Sequence, residues 1–474
     1  MGRALRHLSP LALRVGIAAA SLGVIYGYDL SNIAGALLFI EREFGLHNAQ
    51  QELIATATVI GEVLGAAAGG WLANTVGRQR SMIAVALGYA VFALLGAAST
   101  SVPMLTASRL LLGVTIGVSV VVVPVFVAES APAAARGALL VTYGVATVIG
   151  IIAGYLVAYL LAGHGNWRAM LGLAAAPAVL VAWLLARLPD TARWYLLQGR
   201  IDDARRALHR MAPNPLDADR ELAEISATLV EERHSGVGAL REMLRAPYLR
   251  ATLFVVILGF CIQITGINAI VYYSPRLFET MGFTGDFALL ILPALIQVAA
   301  LAAMIVSLVL IDRVGRRPIL LSGISAMVAA NAVLVAAFAA GDTLGAARAA
   351  VNFGGVLLFT VGYTFGFGSL VWVYAGESLP ARLRSLGSSA MLTSDLLANA
   401  MVAAVFLSML SALGGAGTFA VFGVLAALSL AFVYRYAPET KGRQLEDIRH
   451  FWENGGRWPA AAVPASDTAE SACR

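Results

Sequence analysis

Charged residues are scarce in this chain of 474 residues. Asp, Glu, Lys and Arg together make up 13% of it, whereas a soluble domain carries roughly a quarter. Hydrophobic residues make up 59%, and the mean hydropathy is +0.79. A soluble globular domain is therefore excluded, and the composition is typical of a helical membrane protein.

Cysteine is nearly absent as well: Cys261 lies in an apolar run and Cys473 at the C-terminal end. Such a pair excludes a disulfide framework and a zinc site. The net charge of +5 could suggest nucleic acid, but the basic residues are dispersed in short clusters between apolar segments. Metal-ligand spacings, nucleophile–base pairs and phosphate loops are missing too, so neither an enzyme nor a cofactor is expected.

Long apolar stretches dominate what is present. A membrane-spanning helix needs about 20 apolar residues, and twelve stretches meet this requirement. They predict spans 1 to 12, near 12–40, 52–73, 81–100, 103–128, 137–163, 167–187, 250–274, 287–311, 318–340, 349–376, 385–411 and 416–435.

A polar segment divides these spans into two sets of six. We therefore expect an all-α membrane protein with an N-terminal six-helix bundle at 1–188 and a C-terminal one at 250–437. Charges at helical spacing predict a cytoplasmic helical linker at 189–249, and a cytoplasmic tail follows at 438–474.

The basic residues predict the orientation. With both termini in the cytoplasm, nearly all of the 33 Lys and Arg residues fall on the inner side. The exceptions are Arg42, Arg109, Arg168, Arg276 and Arg348. Because positively charged loops resist translocation, we expect a multi-pass protein of the cell membrane with both termini inside.

Short motifs recur in the two halves at matching places. After span 2 the chain reads Asn74-Thr75-Val76-Gly77-Arg78, and after span 8 it reads Asp312-Arg313-Val314-Gly315-Arg316. Glu129 and Arg136 after span 4 have the same spacing as Glu377 and Arg384 after span 10. Two six-helix repeats around one pathway are typical of secondary transporters.

Three further motifs complete a resemblance to a known family. They are Pro189-Asp190-Thr191-Ala192-Arg193-Trp194, Pro438-Glu439-Thr440-Lys441-Gly442 and Gln263-Ile264-Thr265-Gly266-Ile267-Asn268. In their order and spacing, the motifs resemble those of the major facilitator superfamily, specifically its sugar porter family and bacterial proton-coupled sugar symporters. The resemblance covers nearly the whole chain, and it implies a transporter that works as a monomer.

Four ionisable residues lie well inside spans: Asp29, Glu62, Arg109 and Asp395. A charge at this depth costs at least ~2.5–3.5 kcal/mol, so each is a functional candidate. We expect Asp29 and Arg109 to couple transport to protons by alternating between proton-bound and arginine-paired states. The family's proton-coupled symporters resemble this chain in carrying an acid in Gly-Tyr-Asp. Glu62 has no predicted partner, and either a second proton site or a protonated interface acid remains open.

Five residues are predicted to bind the substrate: Gln263, Asn268, Trp372, Asp395 and Asn399. Amides and carboxylates suit vicinal hydroxyls, and an aromatic face suits a sugar ring. For Gln263 and Asn268 the alternative is hydrogen bonding between helices, and for Trp372 it is packing. Asp395 stands where sugar-binding relatives carry glutamine, so a substrate contact, a second proton site and a structural acid all remain open.

Charges at the cytoplasmic helix ends are expected to form a gate that latches the two bundles when the cavity opens outward. The gate set is Glu129, Arg136, Arg193, Asp312, Arg313, Arg316, Glu377 and Arg384. The alternative is that they only set the orientation. Asn74 and Thr75 replace the family's usual acid and base, so the N-terminal part of the latch is expected to be the weaker one.

These observations predict a transporter that imports a monosaccharide or related polyol by proton symport through alternating access. Its partners are then the small-molecule substrate, protons and the lipid bilayer, without nucleic acid. A proton-driven exporter of a less polar or cationic molecule and a sugar facilitator are the alternatives. A non-transporting sensor is disfavoured by the short C-terminal tail.

Overall fold

The computed structural model describes residues 10–131, 133–211, 215–235, 239–443 and 445–458. In these ranges every regular element is helical. Eleven of the described helices are long and apolar enough to cross a membrane. The predicted fold class is confirmed, while residues 459–474 of the predicted tail lie outside the described part.

The first half supplies spans 1 to 6. Spans 1 to 5 are the single helices Pro10–Phe44, Asn48–Val76, Arg78–Ala97, Val102–Ser130 and Ala133–Ala162. Span 6 consists of Trp167–Leu173 and Ala175–Leu185. The polar segment that follows contains four short helices: Ala192–Leu197, Ile201–Met211, Pro215–Ser235 and Ala239–Met243.

The second half supplies the other spans and contains most of the irregular turns. Span 7 is divided into Leu249–Ile264 and Ile267–Tyr272 and is followed by Ser274–Thr280. Span 8 starts with a π-helical turn at Phe287–Ile291 and continues as Leu292–Val314, and span 9 is Arg316–Ala340. Span 10 is Ala347–Tyr363, a π-helical turn at Thr364–Gly368, and Ser369–Ser378. The chain ends in Ala381–Tyr436 and Leu445–Glu453.

Helix Ala381–Tyr436 accounts for both of the last two predicted spans. Its 56 residues would extend about 80 Å as one straight helix, more than twice the thickness of a bilayer core. Gly414 interrupts it with non-helical φ and ψ angles of 69° and 177°. Because only glycine adopts this conformation without strain, the chain bends there and separates spans 11 and 12.

The two halves repeat the same packing. Span 1 packs against span 5 and span 7 against span 11, while span 3 contacts span 6 and the helix of span 9 contacts the helix of spans 11 and 12. Between the halves, span 2 contacts the helix of span 11, and span 5 contacts span 8. The repeat in the sequence is thus a repeat in three dimensions. We call the end with the linker helices the linker face and the end with the turns at 45–47, 98–101 and 163–166 the opposite face.

Glycines allow spans 2 and 4 to touch backbone to backbone. A Cβ atom on Gly65 would lie 2.1 Å from the carbonyl oxygen of Val114, and one on Gly113 would lie 2.0 Å from that of Thr58. Small residues at such contacts let membrane helices approach closely. Gly61 belongs to the same contact between spans 2 and 4, so the next residue, Glu62, is buried beside this contact.

We expect Gly65→Ala to lower the stability by about 1–3 kcal/mol, the usual effect of overpacking. Gly70→Ala on the same helix is the matched control, since a Cβ atom there meets nothing within 4 Å. The measurement is the thermal midpoint of each purified variant in detergent. Equal midpoints for the two variants would contradict the close contact.

Candidate transport site and gates

The carboxylate of Asp29 and the guanidinium of Arg109 form a buried bidentate ion pair. Arg109 Nη1 lies 2.6 Å from Asp29 Oδ1 and Nη2 lies 2.9 Å from Oδ2, and each side chain is 4% exposed. Span 1 presents Asp29 here because it packs tightly on span 5: a Cβ atom on Gly27 would lie 1.8 Å from the carbonyl oxygen of Thr147. The structure thus joins the two residues that the sequence pairs.

Glu62 lies fully buried in the same half, and neither of its carboxylate oxygens has a hydrogen-bond partner among the described residues. The charges of Asp29, Asp395 and Arg109 are close enough to act on it. Arg109 is already paired by Asp29. Glu62 is therefore a buried acid without a counter-ion of its own.

Three of the predicted substrate residues lie together in the second half. Gln263 Nε2 approaches Asp395 Oδ2 at 3.4 Å, and Asn399 is one helical turn further along the same helix as Asp395. Asn399 Nδ2 is 3.3 Å from the hydroxyl of Tyr272. Gln263 Oε1 and Asn399 Oδ1 are buried without a hydrogen-bond partner in the described part of the chain.

The other two predicted substrate residues stand apart from this cluster. Asn268 is half-buried just after Gly266, where a positive φ of 96° turns the chain between the two parts of span 7. Trp372 lies in the linker-face part of span 10 and is 48% exposed. No hydrogen bond joins either side chain to the cluster in the ranges that the structure describes.

At the linker face of the first half, Glu129 is the centre of a charge network. Arg78 donates to both of its oxygens at 3.0 Å, and the Thr191 hydroxyl donates at 2.6 Å. Arg193 Nε lies 3.8 Å from the same carboxylate. The side chain of Arg136 lies outside the described residues.

The corresponding residues of the second half form a looser arrangement. Arg316 is 3.4 Å from Asp312 and 3.8 Å from Glu377, and Glu377 Oε2 is buried without a partner in the described structure. Arg313 is exposed, and its carbonyl oxygen accepts a hydrogen bond from Lys441 Nζ. Arg384 is half-buried, and no ion pair of its side chain occurs within the described ranges.

The predicted weakness of the N-terminal part of the latch stays a prediction, because these ion pairs join residues within one half and not the two bundles. Arg78, which belongs to the repeated motif but was not counted in the gate set, supplies the missing base and makes the tighter pair. The four ion pairs described here each lie within one half of the chain.

Two acids at the linker face have a role that the gate prediction missed. Asp190 accepts hydrogen bonds from the backbone N–H groups of Arg78 and Gln79 at the start of span 3, and Glu439 does the same for Arg316 and Arg317 at the start of span 9. Carboxylates stabilise helix N-termini. Burial raises the pKa of the Asp190 carboxyl, although backbone donors oppose this shift. The sequence signal for this shared role is that Asp190 and Glu439 occupy the same position in the two Pro-acid-Thr motifs.

Polar contacts between the halves occur at the opposite face. The Glu52 carboxylate of span 2 accepts hydrogen bonds from the backbone N–H and the hydroxyl of Ser408 at 2.7 and 2.6 Å. Arg276 pairs with Glu41 at 2.8 Å, and the Tyr155 hydroxyl donates to the carbonyl oxygen of Val271 at 2.7 Å. The conformation is thus closed at the opposite face.

We expect Glu52→Gln to open the opposite face, because these contacts are present only when it is closed. Hydrogen bonds to a charged group are worth about 1.5–3 kcal/mol, so the open population should rise about tenfold or more. The open population is measured by labelling a cysteine introduced in place of Ala34, because Ala34 is buried where the two halves close. Glu43→Gln is the control, since Glu43 pairs with Arg168 of its own half; equal labelling in both variants would contradict the prediction.

Comparisons with known proteins agree with this architecture. The family model described as "Sugar (and other) transporter" matches residues 15–452. The galactose-proton symporter of Escherichia coli (strain K12) is 34% identical over 431 residues, which cover 91% of this chain and 92% of that protein. Polyol transporter 5 of Arabidopsis thaliana is 30% identical over 469 residues, covering 94% and 87%.

Among solved structures, the proton:xylose symporter XylE of the major facilitator superfamily, bound to 6-bromo-6-deoxy-D-glucose, superimposes with a TM-score of 0.78. The two chains are 24% identical, and the match covers 94% of this chain and 100% of the other. This likeness confirms the fold. The resemblance stated from the motifs is also confirmed, and the chain belongs to the sugar (and other) transporter family.

Proposed function

We propose that this chain imports a monosaccharide or related polyol together with protons by alternating access. The observation that carries the proposal is the buried bidentate pair of Asp29 and Arg109. A buried acid that alternates between an arginine partner and a proton links substrate movement to the proton gradient, because the negative charge of the carboxylate is neutralised by the arginine in one state and by the bound proton in the other. Relatives that are named proton symporters support the same assignment.

In this proposal the linker face is cytoplasmic and both termini are inside. The excess of Lys and Arg at this face supports the orientation. The conformation closed at the opposite face then corresponds to an inward-facing state. The gate residues Glu129, Arg136, Arg193, Asp312, Arg313, Arg316, Glu377 and Arg384 re-pair between the halves when the protein faces outward.

The substrate residues are Gln263, Asn268, Trp372, Asp395 and Asn399. The unpartnered oxygens of Gln263 and Asn399 support the part of this set that clusters in the second half, since such atoms accept hydrogen bonds from hydroxyl groups. Trp372, which is half-exposed on the linker-face side, lies on the route by which substrate leaves toward the cytoplasm.

Uptake of labelled sugars and polyols into proteoliposomes tests the proposal. We expect an imposed pH gradient, acidic outside, to drive accumulation of at least one member of the panel above its equilibrium level. The control is the same vesicles with a proton ionophore, which should reduce accumulation to equilibration. Equilibration alone under both conditions would indicate a facilitator, and no entry at all would contradict import.

A further inference from the structure

A second feature of the chain is a pair of buried acids, one from each half. Glu62 comes from span 2 and Asp395 from span 11, and both are buried. They are close enough for their charges to interact. Neither forms an ion pair with a basic residue in the described part of the chain, since Arg109 is engaged by Asp29.

The remaining polar atoms of this region are mainly hydrogen-bond acceptors. Both carboxylate oxygens of Glu62, Gln263 Oε1 and Asn399 Oδ1 are buried and have no partner among the described residues. The side chains of Gln263 and Asn399 are at least nine-tenths buried. The amide groups of these two side chains are already directed at Asp395 and Tyr272. Apart from tyrosine hydroxyl groups, the polar atoms named here are acceptors, and the one nearby positive charge, Arg109, is paired with Asp29.

Three buried or partly buried tyrosines lie in the neighbourhood of the two acids. Tyr26 lies in electrostatic range of both acids, Tyr272 in that of Glu62, and Tyr363 in that of Asp395. Aromatic faces attract cations through their quadrupole. The acids and the tyrosine rings therefore both favour a cation.

A protonated amine matches these requirements better than a hydroxyl group does. It brings positive charge and three N–H donors to these acceptors, whereas a hydroxyl group brings one donor and no charge. Two buried carboxylates without a counter-ion are costly in a low-dielectric interior, and a bound cation removes much of that cost.

We propose that the central site binds a substrate that carries a protonated amine as well as hydroxyl groups, such as an amino sugar or amino polyol, with Glu62 and Asp395 on two sides of its charge. This inference rests on the proposed transport function and names its substrate class. The hydroxyl groups of the same molecule are left to Gln263 and Asn399.

The experiment compares substrates that differ only in the charged group. D-glucosamine is paired with D-glucose, and D-galactosamine with D-galactose, at a pH where the amines are protonated. Binding is measured as thermal stabilisation of the purified full chain, and transport as uptake into proteoliposomes. We expect the amine of at least one pair to half-saturate both signals at a tenfold lower concentration, or less, than its neutral partner.

Glu62→Gln and Asp395→Asn then remove one charge each at nearly constant shape. We expect each to reduce the preference for the amine over its neutral partner at least tenfold. Asp342→Asn is the matched control, because Asp342 is fully exposed at the opposite face. Two independent variants keep the test valid if one of them fails to fold.

The outcomes separate this inference from the proposed function. If neutral sugars bind as well as their amines, or if both variants keep the preference, the amine assignment is wrong. A second proton site is indicated instead if the protein prefers the neutral sugar and if Glu62→Gln moves fewer protons per sugar transported. That result would overturn the amine assignment. In these cases proton-driven uptake of a neutral sugar leaves the proposed function intact, whereas failure of every substrate to accumulate contradicts that function itself.

Discussion

Replacing Asp29 by asparagine is expected to abolish accumulation of the substrate while leaving exchange across the membrane largely intact. One proton that moves down 100 mV contributes about 2.3 kcal/mol, which supports roughly 50-fold accumulation of a substrate co-transported with it. The asparagine side chain of this variant binds no proton, so this free energy is no longer coupled to the substrate. Uptake against a gradient should therefore decrease to equilibration.

Two measurements on the same vesicles check this expectation. Active uptake reports coupling, and counterflow, which needs no net proton movement, reports whether the variant is folded and still alternates. Asp342→Asn, an exposed acid on the opposite face, should leave both unchanged. Asp29 is not the coupling residue if its asparagine variant still concentrates substrate against its gradient.

Local patterns in the sequence were sufficient to predict the fold. Twelve apolar stretches and a repeated set of motifs predict two six-helix bundles because hydropathy and helix length are strongly constrained by the bilayer. The bend at Gly414 did not obscure the separation of spans 11 and 12, since their combined length is too great for one crossing. The pairing of Asp29 with Arg109 was also predictable, because an intramembrane charge requires a partner.

Contacts between distant segments were harder to predict. The pairing of Glu52 with Ser408 joins residues in different halves, and no spacing within span 2 or span 11 indicates it. The predicted gate set did not include Arg78, the first residue of span 3. Because Thr75 stands where the family has a base, the base of this motif was expected to be missing. Which charges pair at a helix end depends on side-chain reach in three dimensions.

The two linker-face networks differ in a way that mutation can measure. Glu129 is bound by Arg78 at two points, and their side chains are 12% and 5% exposed. Glu377 is 3.8 Å from Arg316, and one of its oxygens has no partner in the described structure. Removing one member of a well-formed buried pair leaves an uncompensated charge, which costs about 3–5 kcal/mol.

We therefore expect Glu129→Gln to destabilise the protein far more than Glu377→Gln, by about 3–5 kcal/mol against about 1 kcal/mol or less. The measurement is the thermal midpoint of each variant in detergent, compared at one heating rate. Because Arg78 also donates to the carbonyl oxygen of Ala73, the double variant Glu129→Gln with Arg78→Gln should recover part of the loss by removing the uncompensated charge. Equal destabilisation by the two single variants would show that the networks are energetically equivalent, and that the asymmetry of their distances has no consequence for stability.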